Sequence, residues 1–188
     1  MVFLLSVPLL ISPAAAWNQQ THQNIASQVY HSLPLSVQYK LNLNEMKEGS
    51  IAPDVVFQDQ TNHVYPKTYA KAQEWLNKAK AAYKSRNYNY ASYCFGVASH
   101  YITDSCAGPH CYVGETHEQH VAYEKQATNM RPAIGIYASK NLKTLLSAGY
   151  TNGKTDMKSW LKTKSSSIVQ KDLNRAASVA YTIIRSYV

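Results

Sequence analysis

Charge is what this sequence has least of. Asp, Glu, Lys and Arg make up only 16% of its 188 residues, against about 25% in an ordinary soluble domain, so the surface must lean on Tyr, Asn, Gln, Ser and Thr. The shortage is lopsided: 19 cationic side chains face 11 anionic ones, a net charge of +8. That favours encounters with anionic partners such as lipid headgroups or nucleic acid, without naming a substrate. Alternating strand patterns and internal repeats are missing, which argues against sheet and repeat architectures. Cysteine is scarce, and its count of three is odd, so at most one pair can bridge within a chain. Cys106 and Cys111 are the closest couple, with free thiols the alternative. The 45% apolar content excludes a disordered chain, and the length suits one domain with a real core.

Residues 1–16 carry no charged side chain. An apolar run from Val2 to Ile11 is followed by Pro13 and Ala14-Ala15-Ala16, the small-residue pattern of a secretory cleavage site, although no Lys or Arg precedes the run. The run is too short for a stable membrane-spanning helix. The expectation is a signal peptide over 1–16, cleaved between Ala16 and Trp17, and a secreted domain over 17–188. A retained anchor or a buried first helix is the alternative.

Beyond Trp17 nearly every segment reads as helix. Thr21 is a cap for a first helix with an apolar face at Ile25, Ala26, Val29 and Leu33, ended by Pro34. The stretch from Glu48 to Pro66 carries turn residues and reads as an extended loop. Residues 69–83 form an amphipathic helix. Residues 87–105 are apolar on nearly all sides with Asp104 as their one formal charge, the mark of a central, buried helix. Further helices are expected over 115–129, from Pro132 to Ser147, and at the C-terminus through Val169, Leu173, Ala176, Ala180 and Ile183, with a turn at Gly149–Gly153. The fold class is all-α, a single-domain multi-helix bundle.

Seven histidines punctuate this apolar background. His100 and Asp104 are four apart, hence on one face of the buried helix, where an ionised carboxylate is costly unless paired or bound to a cation. A buried hydrogen-bonded pair would satisfy them equally well. Asp104 leads through a Gly-Pro turn to His110, and His120 with Glu124 repeats the four-residue spacing on the next helix. Two such pairs flanking a lone histidine are hard to explain by packing, and imidazole with carboxylate suits zinc or a similar divalent metal. His22 lies on the apolar face of the first helix, where a core histidine is the commoner explanation. Asp54 and His63 fall in the expected loop, where ligands are often carried, though Asp54 after Pro53 suits a turn as well. His31 points away from His22 and reads as a bystander. His117 shares a face with His120 and Glu124, which leaves it either a bystander or a support for them.

The set Trp17, His22, Asp54, His63, His100-x-x-x-Asp104, His110, His120-x-x-x-Glu124 resembles the zinc-dependent phospholipase C family, which shares its fold and zinc cluster with single-strand-specific fungal and plant nucleases. The resemblance spans about residues 17–124. It implies a trinuclear zinc cluster: one ion held by Asp54, His63, His100 and Asp104; a second by His110, His120 and Glu124; a third by His22, bridging Asp104, and the α-amino group and carbonyl oxygen of Trp17. It also implies that a metal-bound hydroxide attacks phosphorus, with Asp54 as the catalytic residue that orients or deprotonates the water.

Three functions are weighed. A phospholipase C, cleaving the glycerol side of a phospholipid phosphodiester at a membrane surface, is favoured by Glu124, since the nucleases usually carry Asp there. A nuclease or nucleotidase is favoured by the short Trp17–His22 spacing and by the positive charge, with Tyr65 and Tyr93 as possible base-stacking groups. A non-catalytic, zinc-stabilised binding protein comes third, since no ligand position is lost. Val55 stands where choline-preferring enzymes tend to carry an aromatic, and Asn18-Gln19-Gln20 offers no acid to meet a quaternary ammonium. No protein partner is implied.

Overall fold

The structure, a computed structural model, describes residues 17–188; the expected signal peptide lies outside them. Among the described residues there are nine α-helices and no strand: α1 (Gln19–Ser32), α2 (Leu35–Gln38), α3 (Leu43–Val55), α4 (Lys67–Lys84), α5 (Tyr88–Asp104), α6 (Gly108–Cys111), α7 (His117–Ala127), α8 (Leu142–Thr163) and α9 (Ser166–Arg185). None of the described helices is long and apolar enough to cross a membrane.

The all-round apolar sequence of α5 makes it the axis. Every residue from Cys94 to Asp104 is buried, and α1, α3, α4 and α9 surround it. Each neighbour turns one apolar stripe inward: Ile25, Ala26 and Val29 from α1; Ala72, Leu76 and Ala79 from α4; Val169, Leu173, Ala176 and Ala180 from α9.

Four expectations are corrected. Asn18, not Thr21, caps α1: its side-chain oxygen accepts from the Thr21 backbone N–H and hydroxyl, both at 3.0 Å. Residues 48–55 are the end of α3 rather than a loop. Asn42 starts that helix by accepting from the N–H groups of Asn44 and Glu45, and Gly49, a turn residue by habit, serves close packing instead. A Cβ on Gly49 would sit 2.1 Å from the Tyr93 carbonyl oxygen, and one on Gly96 would sit 2.2 Å from that of Met46, so α3 and α5 touch backbone to backbone. We expect Gly49→Ala to cost about 3 kcal/mol, since backbone cannot swing aside as a side chain can; thermal unfolding of the variant measures it.

The helix expected from Pro132 begins only at Leu142, as α8. Residues 133–137 run alongside α9, the N–H groups of Ala133, Gly135 and Tyr137 donating to the side chains of Asn174, Ser178 and Thr182 at 2.8, 2.8 and 3.0 Å. The two periods match: two extended residues advance about 6.6 Å, and four helical residues about 6 Å. Lastly, α8 passes straight through Gly149 and Gly153. A Cβ there would lie 2.5 Å from the Cys106 sulfur and 2.7 Å from the Cys111 sulfur respectively. Both cysteines, and Cys94, are buried free thiols, so the Cys106–Cys111 bridge does not form; each sulfur fills the space opposite a glycine. This close fit seats α6, and with it His110, against α8.

Candidate metal centre

The last turn of α5 delivers His100 and Asp104 into the middle of the bundle, and Asp104 becomes the hub. One carboxylate oxygen lies 2.7 Å from His63 Nδ1, 3.2 Å from His100 Nε2 and 3.8 Å from His110 Nδ1; the other lies 3.4 Å from His22 Nε2. Asp54, on the last turn of α3, adds its carboxylate 3.5 Å from His100 Nε2 and 3.7 Å from His63 Nε2. His120 and Glu124 pair at 3.1 Å on α7, and the His110 ring, 6.0 Å from that of His120, links this pair to the rest. The His22 and His100 rings stack at 3.9 Å. Trp17 is fully buried beside them, its indole N–H donating to the Thr103 carbonyl at 3.3 Å and its ring 5.7 Å from that of Tyr123. All nine residues singled out in the sequence thus gather in one region, whereas His31 and His117 are exposed.

Each imidazole is held from outside by one nitrogen. His100 Nδ1 is 2.8 Å from the Ser50 carbonyl, His63 Nε2 is 2.5 Å from that of Asp59, and His110 Nδ1 is 3.1 Å from that of His63. His22 Nδ1 faces the Thr103 hydroxyl at 3.4 Å, and His120 Nδ1 faces Glu115 at 3.4 Å. When neutral, a ring that donates one N–H outward presents its other nitrogen as a lone pair, the arrangement a metal needs. The Gly49–Gly96 contact has a function here, since it brings the Ser50 carbonyl within reach of His100.

Two supporting residues escaped the sequence reading. Glu115 lies five residues before His120, ahead of the helix, so no helical spacing flags it. Asp59 looks like an ordinary loop residue, yet its carboxylate accepts from Tyr101 at 2.8 Å and from Thr61 and Asn62, fixing the loop that carries His63. Its Asp-x-Thr-Asn turn chemistry was the one available signal.

Charge is distributed unevenly. Burial opposes the charged form of Asp104, but His100 and His22 beside it hold its carboxyl well below the ordinary range. For His63 burial again works against charge, yet the hydrogen bond and charge of Asp104, helped by Asp54, raise it to about 9. Burial lowers His110 to about 4, despite Asp104, and lowers His22 as well. Burial pushes Asp54 up, with His100 opposing.

Among the described residues, His22 Nε2, Asp54 Oδ2, Asp104 Oδ1 and Glu115 Oε2 are buried polar atoms without a hydrogen-bond partner. Each such atom costs about 1–3 kcal/mol. Three of them belong to the nine residues, and bound cations would satisfy them. Donor atoms of His22, Asp54 and His100 fall within 4.8 Å of one another, as do those of His63, Asp104 and His110. These groupings cut across the ion-by-ion division that the resemblance implies: His22 falls with Asp54 and His100, and His110 with His63 and Asp104. The donor set fits zinc. Above it opens a cavity of about 970 Å³ into which Asp54, His63, His110 and Glu124 all face.

A model of the zinc dependent phospholipase C family matches residues 21–174. The chain belongs to the zinc dependent phospholipase C family. The matched span runs from the first turn of α1 into α9 and holds eight of the nine residues, with Trp17 just outside it. The family is all-helical, as is this fold, and its zinc dependence agrees with the His/Asp groups around Asp104. A comparison with curated proteins gives no match. Neither Tyr65 nor Tyr93 lines the cavity of this phospholipase C family site: Tyr65 sits against Tyr150 and Tyr93 against Trp75.

Proposed function

We propose that the chain is a secreted zinc-dependent phosphodiester hydrolase of phospholipase C type, cleaving the glycerol side of the phospholipid phosphodiester. The observation that carries this reading is the cluster of imidazoles and carboxylates around Asp104, with buried donor atoms of His22, Asp54 and Asp104 left unpartnered, beneath a substrate-sized cavity lined by Asp54, His63, His110 and Glu124. Three zinc ions are proposed, held by Asp54, His63, His100 and Asp104; by His110, His120 and Glu124; and by His22, Asp104 and the backbone amine and carbonyl of Trp17. Bound zinc would supply Lewis-acid polarisation of the phosphoryl group and a lowered water pKa.

The chain's own residues do the rest. Asp54 faces the cavity with one oxygen unpartnered, placed to orient a water and accept its proton as that water adds to phosphorus. The bond from phosphorus to the glycerol oxygen breaks, and that oxygen takes up a proton to leave as the diacylglycerol hydroxyl. Asp54→Asn should lower turnover by about a hundredfold or more; a variant that kept both its zinc and near-normal turnover would remove Asp54 from this role.

Zinc uptake should depend on pH through His63. Its ring, raised to about 9, is protonated at neutral pH, and a metal requires the neutral form, so binding expels the proton. Apparent zinc affinity should rise about tenfold per pH unit between roughly pH 7 and 9, then flatten. Chelator competition across that range reads it, and a flat profile would mean that His63 is not a ligand.

A nuclease is the second reading, favoured by the +8 charge. Protein beginning at Trp17 and loaded with zinc is incubated with phospholipid vesicles and, separately, with single-stranded DNA. Release of phosphorylated headgroup is expected; nucleotide release alone would overturn the phospholipase reading.

A further inference from the structure

The walls of the cavity differ from its floor. Around the rim stand the amide side chains of Asn18, Gln19, Gln20 and Gln23 from the start of α1, and Gln60 from the loop after α3; Thr61 and Thr128 add hydroxyls, and Val55 and Val64 an apolar edge. Asn18 is committed to capping α1 and donates to Thr128 at 2.6 Å, and Gln20 donates to Asn24 at 2.8 Å. The side chains of Gln19, Gln23 and Gln60 are engaged with no other described residue. Phe, Tyr, Trp, Lys and Arg are all missing from the described lining.

That composition selects. A quaternary ammonium is recognised by aromatic faces, and this wall has none. Its acids are committed: Asp54 to the imidazoles and the attacking water, Glu124 to His120, and Asp59 to Tyr101, Thr61 and Asn62. A single-stranded base needs an aromatic platform for stacking, missing here too. A primary amide donates and accepts at once, and so does every hydroxyl of a polyol. Resting on the phospholipase reading, we propose that the headgroup is a neutral polyol (glycerol or an inositol ring), released as its phosphate and read by Gln19, Gln23 and Gln60.

The test uses zinc-loaded protein beginning at Trp17 and vesicles that share one acyl composition. Each carries phosphatidylinositol, phosphatidylglycerol, phosphatidylserine or phosphatidylcholine at the same fraction in an inert matrix. Phosphatidylserine separates polyol recognition from plain attraction of a cationic protein to an anionic surface, and the first two arms tell inositol from glycerol. We expect one polyol lipid to exceed both phosphatidylserine and phosphatidylcholine in kcat/KM by about tenfold or more. Gln23→Leu and Gln60→Leu should each shrink that preference several-fold while zinc content and melting temperature hold. Inositol phosphate or glycerol phosphate should likewise inhibit more strongly than phosphocholine. Equal or faster cleavage of phosphatidylcholine or phosphatidylserine would overturn the polyol assignment and leave the phospholipase reading standing. An unchanged preference in both variants would overturn the role of the amides. Hydrolysis of none of the four lipids would overturn both readings together.

Discussion

Asp104→Asn is expected to abolish hydrolysis, by at least about a thousandfold, and to leave the protein short of zinc. The substitution keeps size and shape and removes only charge and one acceptor oxygen, so its effect isolates electrostatics. Asp104 is fully buried, yet its carboxyl is held well below the ordinary range because His100 and His22 stand against it. His63, His100, His110 and His22 all approach it within 3.8 Å. A neutral amide there would offer a bridging cation one weak oxygen and turn an N–H₂ group toward imidazoles. Elemental analysis and turnover should fall together. A variant that kept its full zinc complement and its rate would mean that Asp104 is only a partner for core histidines.

The second large effect concerns a chain that begins at Trp17. Trp17 is anchored by its own side chain: the indole N–H bonds the Thr103 carbonyl, one residue before Asp104. The ring rests on Tyr123, whose hydroxyl donates to Asp172 at 2.5 Å and whose other neighbour is Trp160. The next residue, Asn18, accepts from the His22 N–H at 3.1 Å through its carbonyl, so the chain just after Trp17 is tied to the first turn of α1. A free amine there carries a lone pair that an amide lacks. Protein beginning at Trp17 should therefore bind one more zinc than protein with a single extra residue before it, and should turn over about ten- to a hundredfold faster. Equal zinc and equal rates in the two forms would take Trp17 out of the site. Under this account, cleavage after Ala16 would act as the switch for full metal binding.

The two His-x-x-x-acid pairs were legible because helical periodicity converts a four-residue spacing into a shared face: His100 lies 3.2 Å from Asp104, and His120 lies 3.1 Å from Glu124. The central helix was legible for a related reason, since a segment apolar on every side can only be enclosed. Residues 48–55 and 149–153 misled because Gly49, Pro53, Gly149 and Gly153 are turn formers in isolation. Each glycine in fact makes room for a neighbour in space, Tyr93, Cys106 or Cys111, which no local reading reveals. The extended run at 133–137 was hidden because its hydrogen-bond partners lie about forty residues later, as a polar stripe on α9. Glu115 was invisible for the same reason, and Asp59 showed only its turn chemistry, the meaning of each lying in whom it touches.

The most direct test of the whole account is the number of zinc ions per chain in purified protein that begins at Trp17, counted by elemental analysis against amino-acid concentration. The proposed site predicts three. A folded, monodisperse preparation with less than one equivalent, even after dialysis against micromolar zinc, would contradict it.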